Sequence, residues 1–240
     1  MKLTIQNVKK NFNDRQILKG INLHIKNHEF ICVLGHSGCG KSTLLNLIAG
    51  FTQPDEGVVI VDNEIVREPS KERGVVFQEH ALFPWYTVLE NISFGPIVQG
   101  ADKETSLHKA KKYLNMIGLD RYENHYPSEL SGGMKQRVGI ARALAGEPKL
   151  LLMDEPFGAL DVFTRENMRN ELIDIWKKLE TTIIFITHDI SEAICLADRI
   201  IVMKDGQIAR DVSVKLPRPR KITESGFGEL MTELEQTLVH

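Results

Sequence analysis

The chain has 240 residues, 42% hydrophobic and 26% charged, with a net charge of -2. That is long enough for one sizeable core and gives no global basic field that would draw in nucleic acid. Its three cysteines are odd in number and scattered, which argues for a reducing compartment over a disulfide framework.

The N-terminus lacks the apolar stretch of a signal peptide, and no apolar run approaches a membrane span. Leu3, Ile5 and Val8 alternate with polar residues, as do Ile21, Leu23 and Ile25, which predicts half-buried strands of an antiparallel edge sheet. The apolar run from Phe30 to Leu34 predicts a strand buried on both faces. It feeds Gly35-His36-Ser37-Gly38-Cys39-Gly40-Lys41-Ser42, and leucines at helical spacing follow up to Gly50. Strand, glycine loop and helix are the setting of a phosphate-binding P-loop. Gly35, Gly38 and Gly40 let backbone N–H groups approach phosphate oxygens, and the helix adds its positive end. Lys41 is a point charge for β- and γ-phosphates, and Ser42 offers a hydroxyl to Mg²⁺. His36 is not needed by this chemistry. Cys39, beside Lys41 and a helix N-terminus, is expected to have a lowered pKa.

Thr87-Val88-Leu89-Glu90 has the pattern of a capped helix start and opens a mostly helical stretch from Thr87 to about Ala145. Lys109, Lys111 and Lys112 read as a solvated face. Ser131-Gly132-Gly133 precedes a helix with Met134, Val138, Ile140, Ala141 and Leu144 on one face. Ser131 is the expected N-cap of this second anion-binding helix terminus. Gln136 and Arg137 read either as added polar contacts or as a solvated face. The buried strand Leu150–Met153 ends in Asp154-Glu155, at the edge where open α/β sheets bind ligands. There Asp154 would hold Mg²⁺ and Glu155 would act as general base. A strand from Thr182 to Ile186 ends near His188 in the same way. No internal repeat or low-complexity block is evident.

The ordered pair of glycine motifs resembles the ATP-binding cassette of ABC transporters over about residues 1–210. The resemblance implies an α/β P-loop ATPase with a RecA-like core, an antiparallel β edge sheet and a helical subdomain at about 87–145. The whole of 1–240 would form one ATPase domain, with a short C-terminal tail from about 211 to 240. It implies that residues 35–43, through Thr43, bind ATP. His188 would be a switch histidine at the γ-phosphate, and Gln78 a Mg²⁺ and water contact that senses the membrane subunit. Asp161 falls in the dimer-contacting loop. Phe12 falls where an aromatic stacks on adenine; packing within the edge sheet is the other reading. Ser131, Gly132, Gly133 and Gln136 would face the nucleotide of a second copy.

Phe77-Gln78-Glu79-His80-Ala81-Leu82-Phe83-Pro84-Trp85 and Leu216-Pro217-Arg218-Pro219-Arg220 resemble the nitrate, sulfonate and taurine importer branch. That implies separate transmembrane permease subunits, an extracytoplasmic solute-binding protein and a peripheral place on the cytoplasmic face of the membrane. Phe83, Trp85 and Tyr86 read equally as a groove for the membrane subunit or as filling of the helical subdomain. An exporter or another non-import ABC complex is the alternative. Only 90 residues separate Lys41 from Ser131, without sustained heptads, which sets aside the coiled-coil chromosome ATPases. The tail is too short for an appended regulatory domain.

Overall fold

The computed structural model describes residues 1–78, 81–179 and 181–239. They form two compact units, one from residues 1–70 and 181–240, the other from residues 71–180. Among the described residues no helix is long and apolar enough to cross a membrane.

The first unit opens with a hairpin of β1 (Leu3–Phe12) and β2 (Arg15–Ile25), turned by Asn13-Asp14. Leu3, Ile5 and Val8 all point into the core. A strict two-residue period would put Val8 on the opposite face. A register shift between Ile5 and Val8, with Asn7 at φ 47°, restores it to the inner one. Next come β3 (Phe30–Leu34), buried at every position, and α1 (Lys41–Ala49), ended by Gly50 in the left-handed conformation. β4 (Glu56–Val61) and β5 (Glu64–Ile65) turn through Asp62 and Asn63, both at positive φ. The edge sheet runs in the order β2-β1-β4-β5.

In the second unit β6 (Arg73–Val76) pairs in parallel with β7 (Leu150–Asp154). Between them lie α2 (Val88–Val98), α3 (Lys103–Met116), two short turns of 3-10 helix and α4 (Gly132–Ala145). Thr87 and Glu90 form a complete capping box on α2. α2 packs on both α3 and α4, burying Ile92, Leu114, Val138 and Ala141. Lys109 pairs with Glu147 and Lys111 with Glu123, all at the surface. α5 (Val162–Lys178) follows, capped by Asp161.

The chain then returns to the first unit with β8 (Thr182–Thr187), α6 (Ile190–Leu196), β9 (Arg199–Lys204), β10 (Gln207–Ser213) and α7 (Phe227–Val239). β3 lies between β8 and β9, parallel to both, and β10 closes antiparallel on β9. The Leu216–Arg220 segment clamps the end of α6. The buried Arg220 guanidinium donates to the carbonyls of Leu216, Ile194 and Ala197, and burial pulls its pKa down to about 10. Arg218 pairs with Asp198, whose other oxygen accepts from Phe30 N–H at the start of β3.

Asn91 on α2 holds the loop before its own helix. Fully buried, it accepts from Phe83 N–H at 2.9 Å and donates to the carbonyls of Phe83, Tyr86 and Thr87 at 3.0–3.1 Å. Asn91→Ala would strand these groups, and we expect a loss of about 2–3 kcal/mol in urea-induced unfolding. An unchanged unfolding midpoint would contradict the bonding seen here.

Candidate nucleotide site

In the first unit, Leu34 pairs with Thr187, so the glycine loop and His188 leave adjacent parallel strands at one carboxyl edge. The loop is shaped by what cannot fit. A Cβ at Gly35 would lie 2.5 Å from the Met203 carbonyl oxygen and 2.6 Å from Cys39 Sγ. Gly40, at φ 104°, caps α1 with its Cα face against Leu18 and Ile17. With no side chain at the cap, the positive end of α1 opens onto the loop. Lys41 is only 5% exposed, and its ammonium folds over the loop, donating to Gly35 O at 2.8 Å and His36 O at 3.0 Å. His36, Ser37, Gly38 and Ser42 are exposed, and Thr43 is half-buried. A cationic, N–H-lined cradle with an accessible hydroxyl beside it suits a chain of phosphates.

His188 is exposed, and the turn that presents it is fixed. Thr187 Oγ1 donates to the buried Glu192 at 2.6 Å and accepts from Asp189 N–H at 3.0 Å, while Asp189 caps α6. This network was not read from the sequence. Its signal was the Asp-x-x-Glu spacing of a capped helix start directly after His188. Phe12 lies at the hairpin tip, 50% exposed as a residue, with Lys10 Nζ 5.5 Å from the ring centre. It does not fill the edge sheet.

The second unit repeats the edge geometry. Val76 pairs with Met153, so the strands leading to Gln78 and to Asp154-Glu155 run side by side. Glu155 has φ 43°, a left-handed backbone that a non-glycine residue adopts at a cost of about 1–3 kcal/mol. Its carbonyl accepts from Gly158 N–H at 3.1 Å, and a methyl added to Gly158 would come within 3.6 Å of Gln78 Nε2. Glu79 and His80 lie outside the described residues.

Ser131 caps α4, its hydroxyl accepting from Met134 N–H at 3.3 Å. Ser131 and Gly132 are exposed. A Cβ on Gly133 would press within 2.6 Å of Thr164 Cγ2, so this loop rests on the first turn of α5. Asp161 caps that turn, and its bonds to Thr164 hold its carboxyl below the usual carboxylate range. Gln136 is wholly buried, and Arg137 bonds Glu171 at 2.6 Å and Met168 Sδ at 3.4 Å. Of the two readings, the polar-contact one holds for Arg137, whose bonds run to α5, and the burial of Gln136 takes it off any solvated face.

Among the described residues no group of three or more His, Cys, Asp or Glu gathers into an ion site of its own. Ser42 in the first unit, and Gln78 and Asp154 in the second, each carry a hard oxygen donor of the kind that Mg²⁺ takes alongside phosphate and water.

The expectation for Cys39 also requires correction. Its thiol is buried against Gly35, and that desolvation raises its pKa above the ordinary cysteine value, outweighing the lowering by Lys41. A raised pKa leaves less thiolate at neutral pH. Maleimide labelling of Cys39 should be slow at pH 7 and still rising past pH 9, and Lys41→Ala should slow it further. Mass spectrometry of the labelled peptide would measure this; a plateau below pH 8 would contradict it.

Residues 18–158 match the family model of ABC transporters. The chain is 52% identical over 220 residues to a nitrate import ATP-binding protein of Synechocystis, covering 91% of this chain and 83% of that protein. It is 45% identical over 246 residues to an aliphatic sulfonates import ATP-binding protein of Bacillus thuringiensis, covering 100% and 97%. Its fold matches a dimeric ATP-binding cassette in a post-hydrolysis state with ADP and Pi, at 36% identity and TM-score 0.79, over 90% of this chain and 100% of that one. A protein of Clostridium perfringens that is part of an ABC transporter complex matches at 31% identity and TM-score 0.82, over 89% and 88%. Likeness of this extent, running through both glycine motifs, makes the chain a member of the ATP-binding subunits of ABC transporters, an ATPase whose hydrolysis serves transport.

Proposed function

We propose that the chain drives import of nitrate, a sulfonate, taurine or a similarly small solute, working as a pair of copies on the cytoplasmic face of the membrane. Separate permease subunits would form the path, and an extracytoplasmic binding protein would deliver the solute. The import names of the relatives favour this over export. The observation that carries the motor reading is the Lys41 ammonium, held inside a glycine loop at the positive end of α1.

On this reading residues 35–43 bind the phosphates of ATP, and Phe12 offers its exposed ring to adenine. Ser42, Gln78 and Asp154 would hold Mg²⁺, which would supply charge neutralisation on the phosphates. The Glu155 carboxylate takes the proton of the attacking water, and His188 orients that water at the γ-phosphate. The products are ADP and phosphate. Ser131, Gly132 and Gly133 present the terminus of α4 to the nucleotide of the other copy, with Asp161 at the head of α5 as a further contact and Gln136 buried within α4. Binding of two ATP molecules then closes the pair, and hydrolysis reopens it.

The aromatic loop supplies the contact with the membrane subunit. Trp85 is 67% exposed, whereas Phe83 and Tyr86 are half-buried beneath it. An exposed tryptophan on a rigid aromatic base is suited to anchor an interface.

Lys41→Ala removes the cation from the cradle while leaving the glycines in place. Phosphate release by the purified chain should fall at least about 10²-fold. Turnover within a few-fold of the parent would overturn the assignment.

A further inference from the structure

Arg142 has no part in the site described above, yet it is built into two places at once. It stands on α4, eleven residues after the Ser131 cap, which puts it about 16 Å along the same rigid helix. From there its Nη1 donates to Ala81 O at 2.7 Å, and its guanidinium lies 5.5 Å from the centre of the Phe83 ring. Both contacts fall in the loop between Gln78 and α2.

Two features show that residues 81–87, ahead of α2, are held by their surroundings. Ala81 has φ 46°, a conformation an alanine keeps only where neighbours impose it. Phe83 is the hub of the aromatic group, with ring centres of Phe94, Tyr86 and Trp85 at 4.7, 5.5 and 5.7 Å. Asn91 grips Phe83 from α2, and Arg142 grips Ala81 from α4. A planar guanidinium can hold a carbonyl and a ring face together, which a lysine ammonium cannot do with the same geometry.

We infer that Arg142 is a positioning residue for coupling, a latch between the loop that carries Trp85 and the helix that carries Ser131. Movement of the docking loop and closure on nucleotide would then bias each other through α4. The inference rests on the ATPase and docking reading given above.

The chain has two tryptophans, Trp85 exposed and Trp176 buried, so incorporation of 5-fluorotryptophan gives two fluorine NMR signals that Trp85→Phe assigns. Adding Mg²⁺ and AMP-PNP should shift the Trp85 signal in the parent chain. In Arg142→Lys that shift should shrink at least about threefold, a coupling loss within the usual range. AMP-PNP affinity, measured in parallel, should stay within about twofold. Phe83→Leu removes the ring beneath the guanidinium and leaves α4 intact. It should give the same loss, and it decides the matter if Arg142→Lys fails to fold. A Trp85 shift as large in folded variants as in the parent would overturn the latch. So would a parent whose Trp85 signal stays still while AMP-PNP binds. A parent that binds no AMP-PNP would remove the ATPase reading and this inference with it.

Discussion

The folded-back ammonium of Lys41 is the interaction on which the first unit is organised. A lysine in a 5% exposed position needs partners for its charge, and it finds them in the carbonyls of Gly35 and His36. Those carbonyls can be reached only because the loop doubles back on itself. The doubling back requires left-handed glycines at 38 and 40 and leaves no room for a Cβ at 35. The loop is in turn anchored at the end of β3, whose five buried residues lie between β8 and β9. The same pairing delivers His188 at the neighbouring strand end. One electrostatic requirement thus fixes a loop, and one buried strand fixes where it stands.

The second unit solves a different problem, holding an exposed helix terminus in place. The Ser131 loop is kept against α5 because Gly133 leaves space for Thr164, and farther along Arg137 ties α4 to Glu171. Asp161 caps α5 with the same side-chain chemistry that Ser131 uses on α4. The two loops assigned to the partner copy therefore sit on two helices bound to each other. Positioning by packing and caps is rigid enough to make an anion site specific.

Local chemistry was legible in the sequence; distant burial was not. The P-loop setting, the Thr87 capping box and the Ser131 cap each depend on residues within a few positions, and the structure has all three. Cys39 shows the limit. Its neighbours in sequence are a cation and a helix terminus, which argue for a reactive thiol, but its neighbours in space bury it. Gln136 and Arg137 were left open between two readings for a similar reason, because helical periodicity does not say that Arg137 meets Glu171 on α5 or that Gln136 is buried. The Asn7 bulge re-aims Val8, which no two-residue period foretells. Arg142 and Arg220 make their defining bonds across 61 and 26 residues of sequence, with no local signature.

The proposed function requires that one nucleotide be gripped by Lys41 of one copy and Ser131 of another. Complementation tests it directly. A Lys41→Ala chain lacks the cation of its cradle and a Ser131→Arg chain lacks a usable second terminus, so each alone should release little phosphate. Mixed together, they form some dimers in which an intact Lys41 meets an intact Ser131 across the interface. Phosphate release should then appear in the mixture. A mixture no more active than its separate components, under conditions where the two chains are shown to associate, would contradict the shared site.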